Sequence, residues 1–344
     1  MSLKLEEITD TEGLEQLWPE WSSLWEACPA ATPFQSPSWL LPWWHHLFGG
    51  GKLWALALRS EGRLVGLAPL FIYGYGSRPE VRRVTLLGAG VSDYLDFLIE
   101  DRLADAGMAA VLQFLVENET QWEVCDFPDL PARSPLLTAR VPESFAWDDL
   151  PGAVCPVLPL PQTFTELESR LDREFRVQLR RASNRVRSAG AEFETAAASN
   201  LSEMLDALFR LHANRWHERG EDGVLSTREL QDFHREAAAR MLERGYLRMY
   251  GLRLAGDLIA VQYNFVGHGR VYAYLSGFDP ELARLSPGMV LLRYAIEQAI
   301  DEQLGYFDFL RDPEPFKHRW GAEDRPSRRV TIRHAAAQTG YAQT

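Results

Sequence analysis

Residues 53–71 read LWALALRSEGRLVGLAPLF and residues 247–265 read LRMYGLRLAGDLIAVQYNF. Offset by 194 positions, they coincide at Leu53/Leu247, Leu58/Leu252, Arg59/Arg253, Gly62/Gly256, Leu64/Leu258 and Phe71/Phe265. Each holds two apolar runs either side of a charged, glycine-containing turn, the pattern of a β-hairpin. More strand-like sequence follows both, at 81–87 and 94–99 in the first half and at 270–277 in the second. A helix comes next, at 103–117 and 287–304, with apolar residues at three- and four-residue steps. Each helix leads into a short strand ending in Asp-Phe, at Glu123–Phe127 and Gly305–Phe309. Six identities alone are weak. The shared order of hairpin, strand, helix and strand predicts a tandem duplication of an α/β (α+β) unit.

The halves open differently. Seven of the eleven tryptophans fall between Trp18 and Trp54, which predicts a helical layer packed on a sheet rather than an aromatic ligand cage. The second half opens with an arginine-rich helix near 165–189 and two amphipathic helices near 201–219 and 226–244. Between the halves lies the Pro-rich stretch Cys155–Pro161, a boundary signal because proline cannot donate to a strand ladder. The expected domains are therefore 1–155 and 156–344.

The chain has 344 residues, enough for two domains at roughly 100–200 residues each. Hydrophobic residues at 46% and charged residues at 24% exclude wholesale disorder. With 36 basic and 48 acidic side chains the net charge is −12, which argues against general affinity for DNA. Locally, residues 170–187 hold seven arginines against two acids, either a solvated helix face or a surface for an anionic donor or acceptor. No apolar run nears the roughly 18–20 residues of a membrane span, and the start carries acid where a leader needs base. A cytoplasmic location is expected. Cys28, Cys125 and Cys155 lack metal or redox spacing and are expected to be reduced core residues. Lysine occurs only at Lys4, Lys52 and Lys317, against 33 arginines. Each lysine draws notice, since arginine does not shed its proton in a protein and lysine can.

Chemistry is concentrated between Tyr272 and Tyr294, where a strand ends at Ser276-Gly277 and Ser286-Pro287-Gly288 opens a helix. Serine suits the N-cap and proline the first helical position. The free N–H groups there form an anion site suited to a pyrophosphate. Every capped helix has such an end, so the alternative is a plain helix start.

The sequence resembles the GNAT-superfamily acetyltransferases of the cellulose-biosynthesis (CelD-like) group, related in fold to the Fem peptidyl transferases. The resemblance is densest at Phe175–Arg181, Leu211–Trp216, Asp232–His234, Phe307–Arg311 and Phe316–Gly321, with Phe34–Trp39 and Ser92–Asp96 adding to it. It implies tandem GNAT-like domains with mixed, mostly antiparallel sheets flanked by helices. It also implies transfer of an acyl group, acetyl in the simplest case, from acyl-CoA to an amine or hydroxyl, with no metal. Carried over, the donor strand is 270–277 and the pyrophosphate turn 284–289, giving Gly277, Phe278, Arg284, Ser286 and Gly288 as cofactor-binding residues. The family loop, Gln/Arg-x-x-Gly-x-Gly/Ala, departs here: Arg284–Met289 has one glycine, displaced by one position. Fem enzymes use an aminoacyl-tRNA donor instead, which leaves tRNA as the partner under that alternative. A third alternative is a non-catalytic carbohydrate-binding scaffold in polysaccharide assembly.

Catalysis of acyl transfer needs a group that stabilises an oxyanion or removes a proton from the nucleophile. The resemblance points to Lys317 for the oxyanion, since Fem-like proteins carry a similar Phe-Lys near their end; a solvated surface lysine is the alternative. Asp308, at a strand's C-terminal end, is expected to orient Lys317 or accept a proton, or else to cap local N–H groups. Tyr274, on the donor strand, completes the catalytic set. Gln262 and Asn264 share one strand face and either bind polar substrate groups or pair with each other in the core. Arg215 and Trp216 offer a cation and a flat ring to a saccharide or other small acceptor. Asp93 and Asp96 follow a Gly-rich turn and would attract an amine, unless they only guard a strand edge. His212 and His217 miss the spacing of a zinc helix, and there is no Walker loop or Gly-x-Ser-x-Gly elbow.

Overall fold

The computed structural model describes residues 3–75, 81–217 and 225–335, without the side chains of Tyr75 and residues 214–217. The chain divides into two compact units, Met1–Ala153 with Pro326–Thr344, and Val154–Arg325. It therefore crosses between them twice.

The first unit runs β1 (Leu3–Ile8), α1 (Thr11–Gln16), α2 (Trp18–Ala27), α3 (Pro37–Leu47), β2 (Lys52–Leu53), β3 (Ala55–Ser60) and β4 (Arg63–Ala68). It continues through β5 (Leu70–Tyr75), β6 (Val81–Leu86), β7 (Leu98–Ile99), α4 (Ala104–Glu117), β8 (Val124–Leu130) and α5 (Pro135–Thr138). Strand β9 (Phe145–Pro159) then leads into the second unit. That unit holds α6 (Phe164–Arg170), α7 (Arg173–Ser188), β10 (Glu192–Thr195), α8 (Leu201–His217), α9 (Arg228–Glu243) and β11 (Leu247–Leu254). After these come β12 (Asp257–Gly267), β13 (Arg270–Phe278), α10 (Pro287–Asp301), β14 (Tyr306–Asp308) and α11 (Pro315–Arg319). Strand β15 (Glu323–His334) returns to pair with β8 in the first unit.

The fold is mixed α/β with mostly antiparallel strands, as the sequence predicts. In the first unit, β1-β3-β4-β7 form one antiparallel sheet, and β2, β5, β6, β8 and β15 join another whose β6–β8 pair is parallel. The second unit orders β10-β11-β12-β13-β14-β9, parallel only between β13 and β14.

The duplication is visible at atomic detail. Both hairpins turn on two consecutive positive-φ residues, Glu61 (52°) and Gly62 (82°) against Ala255 (51°) and Gly256 (97°). Such turns match the strand twist, and glycine takes the second position without a Cβ penalty. Both hairpins carry a bulge four residues from the second turn glycine, at Leu58/Arg59 and at Leu252/Arg253. The bulge aims an arginine at two glutamates: Arg59 meets Glu6 at 2.9 Å and Glu20 at 2.7 Å, Arg253 meets Glu194 at 2.8 Å and Glu203 at 2.9 Å. Further along, Gly66 pairs with Ile99 and Ala260 with Phe278, again 194 residues apart on the hairpin side.

The tryptophan layer is core. Trp21, Trp39 and Trp54 are fully buried, and the indole N–H groups of Trp21, Trp25 and Trp39 donate to Gln35 O, Thr32 O and Ser92 Oγ at 2.7–3.0 Å. The expected helix 165–189 is two helices. Leu171 is extended, and Asp172 accepts from the N–H groups of Glu174 and Phe175, which starts a new helix. The expected strand 94–99 shrinks to Leu98–Ile99, because residues 88–97 form an irregular loop most of whose residues are buried.

Candidate functional site

Helix α7 buries Phe175, Leu179, Ala182 and Val186, one stripe at three- and four-residue steps, in a core shared with Val290, Leu291 and Ala295 of α10. On the sheet, Ala260, Ala273, Phe278 and Phe307 face this core. Helices α8 and α9 cover the opposite face, where Tyr263 meets His234 of α9. Gly277 shows how closely α8 lies on β13. A Cβ there would stand 2.8 Å from Leu211 Cβ and 2.9 Å from the His212 nitrogen, so only glycine fits.

Strand β13 pairs with β12 along its length but with β14 only at Arg270, Val271 and Tyr272. The two strands part after the rung joining Tyr272 to Asp308. From Ala273 to Phe278, the β13 edge on that side has no ladder partner among the described residues. The β12–β13 register slips at Tyr263/Asn264, which leaves Tyr274 as the extra, bulged residue at the mouth of the divergence. Past Phe278, the Asp279 N–H closes onto Ile259 O at 2.8 Å, a 3-10 turn spans Pro280–Leu285, and α10 begins.

The start of α10 corrects one expectation. Ser286 stands at the N-cap position, but its backbone is left-handed (φ 55°) and its side chain caps nothing. A capping side chain needs extended backbone to reach the N–H groups of the first turn. Ser286 Oγ instead accepts from Arg185 of α7 at 3.4 Å. The first-turn N–H groups stay available, no acid lies in that turn, and Arg284 is exposed beside it. Gly288 follows as the second helical residue, facing the Phe278 ring.

Asp308 is 3% exposed on the last rung, and its Oδ1 accepts from the Leu310 N–H at 2.8 Å. Opposite it, the buried Tyr272 phenol is pushed above its ordinary pKa by burial first and the Asp308 charge second. Tyr274 packs on three rings: Phe265 at 5.4 Å, His234 at 5.8 Å and Tyr263 at 5.9 Å. His234 is buried, and burial, reinforced by His212, lowers its pKa to about 3, so the imidazole is neutral at working pH. In the sequence His234 stands only within the resembling stretch Asp232–His234, with no role given to it. Its helical spacing to Ala237, Ala238 and Met241 was the signal that it points inward.

The remaining candidates lie as follows, with Gln262 and Asn264 taking the core-pair alternative. Lys317 is 5% exposed and its ammonium donates to the carbonyls of Arg311 and Asp312, both at 2.7 Å, with Glu314 at 3.5 Å. None of these partners is Asp308, and the two carbonyl hydrogen bonds tie Lys317 to the loop that follows Asp308. Gln262 donates to Asn264 at 2.8 Å within the core, and the Asn264 amide nitrogen finds no partner among the described residues. Asp93 and Asp96 are buried in the first unit, where Asp96 accepts from Ser134 Oγ at 2.6 Å and from the Phe97 N–H at 2.8 Å. Burial raises the Asp96 pKa to about 7, which weakens it as a lure for an amine. The side chains of Arg215 and Trp216 lie outside the described residues. Among the described residues no cluster of three metal-ligating side chains occurs, and no helix is long and apolar enough to cross a membrane.

Residues 173–318 match the family described as the acetyltransferase (GNAT) domain. Among solved structures, FemX superposes with a TM-score of 0.65 at 12% identity, covering 95% of this chain and 96% of that one. A conserved protein of unknown function from Bacteroides thetaiotaomicron VPI-5482 gives 0.61 at 12% identity, over 96% and 100%. L-PGS from Bacillus licheniformis gives 0.58 at 12% identity, over 93% and 91%. No curated protein sequence matches the chain. At such identity these structures are similar in fold alone. The second unit thus contains the stretch similar to the acetyltransferase (GNAT) domain, and the chain as a whole shares its fold with these structures.

Proposed function

We propose that the chain is an acyl-CoA-dependent N- or O-acyltransferase that moves a short acyl group, acetyl in the simplest case, onto an amine or hydroxyl by direct attack. The open β13 edge carries this reading. It runs from the α10 start to the Tyr272–Asp308 rung, and the pantetheine arm of CoA spans about five extended residues. With its pyrophosphate on the first-turn N–H groups of α10 beside Arg284, Ser286 and Gly288, the arm pairs with the β13 backbone through Gly277 and Phe278. The thioester then lies at Ala273–Tyr274, and the closed rung beyond leaves room for few carbons. The empty helix start fits an anion, since neither a capping side chain nor an acid competes for it.

In this arrangement the acceptor nitrogen or oxygen attacks the thioester carbonyl carbon, and the carbon–sulfur bond breaks as the thiolate leaves. Asp308 takes the acceptor's proton, and the Tyr274 hydroxyl supplies one to the leaving sulfur. Neutral His234 and buried Tyr263 hold the Tyr274 ring, while Lys317 fixes the loop that follows Asp308. A saccharide amine or hydroxyl as acceptor, in a cellulose or other polysaccharide setting, is supported by resemblance alone.

Calorimetry with acetyl-CoA tests the donor, with binding heat and a raised melting temperature expected. No heat and an unmoved melting temperature at millimolar ligand would sink the acyl-CoA reading. The exposed arginines of α7, Arg180, Arg181, Arg185 and Arg187, favour a second reading in which the donor is an aminoacyl-tRNA bound in a salt-sensitive way.

A further inference from the structure

The two copies differ most where the second builds its donor cleft. In the second copy, β12 is one strand; in the first, its equivalent is broken by Pro69 into β4 and β5. Likewise β13 is continuous, whereas its counterpart is split into β6 and β7 by the loop 88–97. Most of that loop is buried, and its Ser92 Oγ accepts from Trp39.

The strand-to-helix connection differs as well. The Glu100 N–H closes onto Val65 O at 3.0 Å, as the Asp279 N–H closes onto Ile259 O at 2.8 Å, which fixes Glu100 and Asp279 as equivalents. From there the second copy spends six residues (Pro280–Leu285) and Ser286 before its helix; the first spends only Asp101–Leu103. The first turn of α4 carries Asp105, whereas that of α10 has no acid; the 3-10 turns before them carry Asp101 and Glu281 respectively. The Glu100 carboxylate is already held by Arg63 and Arg102, the latter at 3.0 Å, so the arginines nearest this turn are occupied.

We infer that each chain takes a single acyl donor, in the second copy, and that the first copy's equivalent cleft is closed by its own loop, its shorter connection and the Asp105 carboxylate. The inference rests on the donor reading above. It makes the copies functionally unequal despite their shared hairpins.

The test counts acetyl-CoA bound per full chain, by native mass spectrometry and calorimetry. Ser286→Asp places a carboxylate at the start of α10 next to Arg185, as Asp105 places one at the start of α4. Aspartate tolerates left-handed backbone and suits a helix start, so folding is retained, checked by melting temperature. The expected result is one donor per wild-type chain, with affinity reduced about tenfold or more by Ser286→Asp through charge repulsion, and unchanged by Asp105→Asn. Two donors per chain would overturn the inference while leaving the donor reading intact. One donor that survives Ser286→Asp would place the site elsewhere and overturn it too. No donor bound at all would remove the acyl-CoA reading, and the inference with it.

Discussion

Replacing Asp96 by asparagine tests whether the first unit holds this carboxyl as a neutral acid. The buried side chain has two donors in contact, Ser134 Oγ at 2.6 Å and the Phe97 N–H at 2.8 Å. Burial outweighs both and raises its pKa from 3.8 to about 7. The folded state therefore binds the proton more tightly than the unfolded state. Its contribution to stability is complete below the unfolded pKa and is lost as pH rises towards 7. At about 1.4 kcal/mol per pH unit, the loss reaches about 4 kcal/mol once the folded group ionises. An asparagine carbonyl oxygen accepts the same two hydrogen bonds and carries no charge. Asp96→Asn is thus expected to be more stable than the parent at about pH 8, with an advantage smaller by about 3 kcal/mol at about pH 5. Urea denaturation at the two pH values measures the difference. A gap that does not change with pH, or a variant that loses stability at the higher pH, would show that Asp96 is ionised in the fold and refute the reasoning.

Lys317→Arg is expected to cost about 2–4 kcal/mol, read as a fall in melting temperature, because a planar guanidinium cannot converge on two carbonyls as the ammonium does. An unchanged melting temperature would return Lys317 to the list of free cations. Gly277→Ala forces α8 away from β13 and is expected to cost about 1–3 kcal/mol by denaturation. If it proves neutral, α8 does not pack where the structure puts it.

The hairpins, the helices after them and the closing strands were legible because each is local. Turn chemistry and apolar period suffice for them, and the 194-residue offset ties them into copies. Helix 165–189 was read too long because one residue, Asp172, ends and restarts it, and its side chain looks the same in sequence whether it caps or faces solvent. The Pro-rich 155–161 stretch follows directly on the division between the units at Ala153 and Val154, and its residues 157–159 also pair with β14. The cleft itself was legible only in outline. Its strand and helix could be placed, but the divergence of β13 from β14, the Tyr274 bulge and the left-handed Ser286 are matters of register and backbone, which side-chain patterns do not encode.

Lysine scarcity singled out Lys317 for a tunable proton, and the structure shows a different use of the same side chain. In a chain with 33 arginines, a surviving lysine suggests a requirement that arginine fails to meet. A tunable proton is one such requirement, and a compact, three-donor head is another. At Lys317 the structure shows the second: two carbonyls converge at 2.7 Å on one nitrogen at the turn just past Asp308. A guanidinium there would have to spread its donors across a plane the turn does not offer. The residue then matters to the chemistry through position, since the loop it holds follows directly on the strand that ends at Asp308. A loss of activity on removing Lys317 would therefore not by itself make it a catalytic group. Separating the roles needs Lys317→Arg compared with Lys317→Met for stability and turnover together, because a clamp loses both in step and an oxyanion donor loses turnover alone.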